Sequence, residues 1–118
     1  MKDNILLQKS KQFALDIIRL YQLLQKDNEF ILSKQVLRSG TSIGANIHEA
    51  VVGQSKRDFF SKICIALKEA NETIYWLELL QESQLSQIDV SKYRSDCDEI
   101  TRILAATKKT TQLHLENE

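Results

Sequence analysis

Chemistry on a helical scaffold needs carboxylates, imidazoles, thiols or cations at spacings that gather them, and this chain offers few such sets. Diiron and dimanganese bundles combine helix carboxylates with Glu-x-x-His pairs aimed into the core. Glu49, Glu69 and Glu72 fall in helical stretches, yet no Glu-x-x-His occurs, and the two histidines are His48, beside Glu49, and His114. His48 reads as a surface histidine rather than a ligand. Cys64 and Cys97 stand far apart in apolar patterns, with no CxxC and no histidine at helical spacing. They read as buried free thiols rather than nucleophiles or a disulfide. The run Arg38–Gly44 is rich in glycine and hydroxyls, but it lacks the GxxxxGK[S/T] spacing and follows no strand. The expectation is a non-enzymatic protein with no catalytic residue, no cofactor and no metal.

Three other sets remain. Arg38, Ser42, Asn46 and Glu49, followed by Gly53, recur at offsets that align them on one stripe of a helix. Solvent would make that stripe ordinary surface; a covering helix or subunit would force its groups to pair. Tyr75 and Trp76 are adjacent, so their side chains diverge by about 100° on a helix and only one can sit centrally in a seam. The other is expected on the bundle flank or an interface, where a large amphipathic ring fits. Lys9, Lys11, Arg19 and Lys26 form the solvent-facing set of the first helix, the candidate contacts for nucleic acid.

The elements that position these sets are all helical. The 118 residues contain no proline, and glycine occurs only at 40, 44 and 53, which favours long helices with short connections. The first helix is expected over about 4–26, capped by Asp3 or Asn4, with Leu6, Phe13, Ile17, Leu20 and Leu24 as core and Ile18 and Tyr21 widening the stripe. Phe30 and Ile31 are expected to plug the end of the core. A second helix, over 34–53, starts from Ser33 as cap and ends at Gly53 as C-terminal cap. Its Gly40 and Gly44 imply close approach of a neighbouring helix. Ser55 and Asp58 open a third helix over 56–81, where Ala66 and Ala70 mark close packing. Ser86 and Asp89 compete to cap a fourth helix over 89–112, with mobile residues beyond it. The fold expected is all-α, an antiparallel up-down-up-down four-helix bundle in a single domain 1–118. An end-to-end arrangement of helices two and three is the alternative, since Gly53 does not compel a reversal.

Charge and apolar content bound the function class. The formal net charge is zero, which argues against a general nucleic-acid binder, although residues 1–38 carry seven Lys/Arg against four Asp/Glu. No run approaches the roughly 20 apolar residues of a membrane span, and no cleavable signal opens the chain. A cytoplasmic protein without membrane contact is expected.

The run Leu37-Arg38-Ser39-Gly40-Thr41-Ser42-Ile43-Gly44-Ala45-Asn46-Ile47-His48-Glu49-Ala50 resembles the signature of the bacterial 23S rRNA intervening-sequence, or S23, proteins. Phe59–Ile63, Ala66–Thr73 and Tyr75-Trp76-Leu77 continue the likeness, which covers the chain from about Phe13 to Leu80 and thins out in the fourth helix. The resemblance implies a four-helix bundle that closes into a ring, typically a homopentamer, with no established enzymatic role. It also implies similarity to the accessory variability protein of diversity-generating retroelements, which binds nucleic acid and a reverse transcriptase. Carried onto this chain, it marks Arg38, Ser39, Ser42, Asn46, Glu49, Glu69, Tyr75 and Trp76, with Ser42, Asn46 and Glu49 in a paired polar stripe between helices or subunits. The accessory proteins are distinctly basic, whereas this chain is neutral. The leading expectation is therefore a homo-oligomeric interaction or scaffold protein. The alternative is an RNA- or DNA-binding accessory protein acting with ribosomal RNA or a reverse transcriptase.

Overall fold

Apolar residues at helical spacing define four helices, α1 (Lys2–Lys26), α2 (Leu32–Val51), α3 (Lys56–Ser83) and α4 (Ser91–Glu116). The computed structural model describes residues 2–118, with side chains from Ile5 onward. Asp3 and Asn4, the expected caps of α1, therefore have side chains outside the described residues. Each helix packs on its chain neighbours and α1 closes against α4, while among the described residues no diagonal pair of helices brings Cα atoms within 8 Å. The result is an antiparallel up-down-up-down bundle of 51 × 22 × 21 Å. Gly53 thus lies in a reversal between α2 and α3.

The core follows the stripes. Leu6, Phe13, Ile17, Leu20 and Leu24 of α1 are buried against Val36, Ile43 and Ile47 of α2, with Ile63, Ala66, Ala70 and Leu77 of α3 and Cys97, Ile100 and Leu104 of α4 completing the interior. Ile18, expected to widen the α1 stripe, is instead 40% exposed, because it sits about 100° from Ile17 on the helix. Gly40 and Gly44 do mark the close approach of α1. A Cβ at Gly40 would lie 3.0 Å from Ile17 Cγ2, and one at Gly44 3.3 Å from the Ser10 carbonyl oxygen. Between α2 and α3 a buried hydroxyl bridge joins the apolar contacts. The Thr73 hydroxyl lies 2.8 Å from both Ser39 Oγ and the Glu69 carbonyl oxygen, and Ser39 donates to the Gln35 carbonyl at 3.0 Å.

The ends depart from expectation in instructive ways. α1 stops with Asn28 in the left-handed region (φ 62°), where Glu29 N–H donates to Leu24 O and Asn28 N–H to Gln25 O. Glu29 then turns its buried carboxylate onto the start of α2 and accepts the N–H groups of Ile31, Leu32 and Ser33 at 3.1, 3.1 and 2.6 Å. This glutamate, not Ser33, caps α2; Ser33 is buried and donates to the Glu29 carbonyl. Phe30 and Ile31 do not plug the core, being 47% and 73% exposed, because the cap turns the chain inward at Glu29.

Gly53 does not act as a left-handed cap either. Its φ is negative, α2 ends at Val51, and Gly53 N–H reaches Ala50 O at 3.3 Å. What the glycine provides is room, since a Cβ there would collide with the Asp58 carboxylate. Ser55 caps α3 as its type suggests, accepting from Asp58 N–H at 3.0 Å. At the far end Gln84 takes the left-handed conformation, φ 56°. Before α4, Asp89 accepts from Ser91 N–H at 2.9 Å, which holds its carboxyl below the usual carboxylate range. Ser86 serves elsewhere, donating to Asp27 and so tying the α3–α4 connection to the end of α1. α4 continues to Glu116, past the expected end at 112.

Candidate functional site

The polar stripe of α2 runs along the seam with α3, and its members divide by position. In the middle, Ser42 Oγ donates to Arg38 O at 2.7 Å and Asn46 Nδ2 to Ser42 O at 2.9 Å, so both bond within their own helix. At the ends the stripe crosses to α3. Arg38, about half exposed, pairs with Glu72, approaches Glu69 at 3.5 Å and reaches Gln35 Oε1 at 3.3 Å. Glu49 accepts from Lys62 Nζ at 2.9 Å, and that contact raises the ammonium pKa of Lys62.

Trp76 extends this system. Its indole N–H donates to the same Glu72 oxygen that pairs with Arg38, at 3.0 Å, while its ring packs partly buried against the core. Tyr75 stands outside it, 54% exposed, its ring edge-on to Trp76 with centroids 5.3 Å apart and planes at 61°. The divergence expected of adjacent helical positions is thus observed: one ring in the seam, one on the flank. Every charged group of the stripe is held by an opposite charge, which suits a clasp between helices better than a ligand cradle.

Helix α1 does not gather its cations. Lys9 leans toward α4 and pairs with Glu99 at 3.1 Å, bordering a groove of about 170 Å3. Arg19 lies 3.5 Å from Asp16 on its own helix. Lys11 faces the opposite side, lining a groove of about 490 Å3 between α1 and α2 with Leu7, Ala14, Gly44, Ala45 and His48. Lys26 is exposed at the helix end. Among the described residues no carboxylate lies within ion-pair distance of Lys11 or Lys26.

Residues with reactive potential are quiet. Cys64 and Cys97 are free, and burial pushes the Cys97 thiol up to about 12. Among the described residues no group of three or more His, Cys, Asp and Glu is placed to hold a metal ion, and no helix is long and apolar enough to cross a membrane. Sequence reasoning reached Glu69 and Trp76 through the family resemblance and read Glu72 only as a helix carboxylate; it missed Lys62 and the pairing of this α3 face with α2. Lys62, Glu69, Glu72 and Trp76 recur at offsets of seven, three and four, which place them on one face, but their partners on α2 are set only by the packing.

Comparison with known proteins supplies the family. Residues 2–106 match the model of the 23S rRNA-intervening sequence protein family. The chain is also similar to a crystal structure from Bacteroides thetaiotaomicron described as a protein with unknown function from the S23 ribosomal protein family. That likeness has 50% identity and a TM-score of 0.85, over 92% of this chain and 99% of that one. No curated protein matches. A family match over nearly the whole bundle, with 50% identity to a solved member, places the chain in the 23S rRNA-intervening sequence protein family.

Proposed function

We propose that this protein is a non-enzymatic homo-oligomeric scaffold, a four-helix bundle whose task is to present surfaces to copies of itself and to a partner. One observation carries the reading. The charged stripe is satisfied inside the protomer, while large apolar side chains stay uncovered on three helices: Leu15 and Ile18 on α1, Val51 on α2, and Ile65 and Tyr75 on α3 are 37–54% exposed. Covering such side chains with another copy would remove their apolar area from water, which favours association. Ring closure, as a homopentamer or otherwise, belongs to this reading. Light scattering of the purified protein tests it: a mass several times that of the protomer is expected, and a protomer mass at every concentration overturns it.

A second reading rests on Lys11 and Lys26, the two α1 cations that no described carboxylate neutralises. Repeated around an assembly, they would offer phosphate contacts to RNA or DNA, in the manner of an accessory protein working beside a reverse transcriptase or ribosomal RNA. Binding that weakens steeply with salt, and further with Lys11→Glu, supports it. No retention of RNA at low salt ends it.

A further inference from the structure

We infer that the outward flank of α3 and α4, from Arg57 through Lys68 to Tyr75 and from Arg102 to Lys109, is a binding surface for an unpaired nucleic-acid strand. This deepens the nucleic-acid reading above, on which it rests, and moves the principal contacts from α1 to α3 and α4. The neutral total charge conceals a local excess. Residues 56–68 of α3 and 100–115 of α4 carry seven Lys/Arg against the single acid Asp58. The two stretches lie side by side: Lys56 pairs with Glu118 at 3.0 Å and Arg94 with Glu78 at 2.8 Å, which sets the antiparallel register of α3 on α4.

Most of this charge is free. Lys56 is held by Glu118 and Lys62 by Glu49. Among the described residues no carboxylate lies within ion-pair distance of Arg57, Lys68, Arg102, Lys108 or Lys109. Lys108 is half-buried and the other four are exposed. Seven residues beyond Lys109 on the same face of α4, Glu116 ends the basic row.

The rest of the flank selects the polyanion. Ser61, Cys64, Thr101 and Ala105 lie among the cations, with side chains too short to enter a lipid layer. Tyr75 follows Lys68 by seven residues and so shares its face of α3. It is 54% exposed and set edge-on against Trp76, which leaves ring surface open at the end of the row. The acids beside it are occupied, Glu72 by Arg38, and Glu78 and Asp98 by Arg94. Unpaired cations leading to an exposed aromatic ring are the combination that holds single strands, the cations tracking phosphates and the ring stacking on a base. From Arg57 to Tyr75 the helix rises about 27 Å, the length of about eight stacked nucleotides. A duplex keeps its bases stacked inside, and an acidic peptide has no base to stack, so neither uses the ring.

Fluorescence anisotropy with a labelled oligouridylate of about twelve nucleotides tests the inference. Contacts from the five free cations predict an affinity that falls about a hundredfold between about 50 mM and 200 mM salt. Combining Lys68→Glu with Lys108→Glu is expected to weaken binding about tenfold or more and to flatten the salt dependence, with the melting temperature unchanged. Tyr75→Ala is expected to weaken binding about tenfold at the same salt slope, since stacking releases no counterions, and Tyr75→Phe to preserve it. Lys92→Glu, at an exposed cation near the start of α4, is expected to leave the affinity within about threefold. If Lys11→Glu abolishes binding while the Lys68→Glu, Lys108→Glu protein binds as wild type, this inference is overturned and the α1 reading stands. A hairpin duplex bound more tightly than the oligouridylate, or a Tyr75→Ala protein that binds as wild type, overturns it as well. If no nucleic acid, single- or double-stranded, is retained at low salt, both fall.

Discussion

At Gly40 the distance between α1 and α2 is decided by a single missing methyl group. A Cβ there would press on Ile17 Cγ2 at 3.0 Å, and Ile17 is fully buried, so the isoleucine has little room to yield. Gly40→Ala gains about 1 kcal/mol of helix propensity but incurs overpacking of about 2 kcal/mol, for a net loss of about 1 kcal/mol in urea unfolding. Gly53→Ala should cost about 1 kcal/mol, because the Asp58 carboxylate must turn aside and the Ala50 carbonyl oxygen, 3.2 Å from the new Cβ, must give slightly, while the φ is ordinary. Cys97 offers a second residue-level prediction. Its thiol ordinarily ionises near 9.0, and burial raises it to about 12 in the folded protein. Between those values the unfolded chain loses this proton and the folded one keeps it, so the thiol's stabilising contribution is complete below 9 and is lost as pH rises toward 12. Wild type should therefore lose about 1.4 kcal/mol per pH unit more than Cys97→Ala across that window, read from the difference in their urea midpoints.

Each helix end is held by a different device, and Glu29 holds the largest share. Its carboxylate accepts three backbone N–H groups at the start of α2 while itself 4% exposed. Glu29→Ala should cost about 2 kcal/mol in chemical denaturation, against about 1 kcal/mol for Ser55→Ala at the start of α3, where one exposed N–H is at stake. Between α2 and α3 the Arg38–Glu72 pair is partly exposed, and a double-mutant cycle should return a coupling of about 0.5 kcal/mol that shrinks with salt. These elements also show what local pattern can and cannot convey. Periodicity located the buried faces, because 3.6-residue geometry alone determines which side chains share a stripe. Small residues located the close approaches at Gly40 and Gly44, since only a missing side chain admits a neighbouring helix so near. The Glu29 cap was not legible, because a glutamate three residues ahead of a helix has many possible partners and its choice depends on the left-handed turn at Asn28. Nor was the clasp, whose Lys62, Glu69 and Glu72 become partners of α2 only once the hairpin has formed. The same limit explains Phe30 and Ile31, apolar by type and exposed by the geometry of the turn.

At the scale of the whole molecule, two forces could hold copies together, and salt separates them. The chain is electrically neutral overall, and the described ion pairs join residues of one protomer, so no net charge draws copies together. Large apolar side chains also stay uncovered, among them Leu15 and Ile18 on α1, Ile65 and Tyr75 on α3 and Leu113 on α4. Burial of such area does not weaken as ions are added, whereas attraction between exposed charges does: the screening length falls from about 10 Å at 0.1 M to about 3 Å at 1 M. Assembly through apolar faces should therefore survive that change, with a dissociation constant shifted by less than about tenfold, because the burial that holds it is not screened. Contact with nucleic acid behaves oppositely, since each neutralised phosphate adds to the salt slope and about six of them lower affinity by about a thousandfold over a fourfold rise in salt. Sedimentation velocity at 0.1 M and 1 M, run with and without a structured RNA, measures both at once. An oligomer peak that persists at 1 M while any RNA co-sedimentation disappears assigns cohesion to the apolar faces and leaves the α1 cations as a separate, screenable surface. Dissociation to protomers at 1 M would instead make charge the binding force.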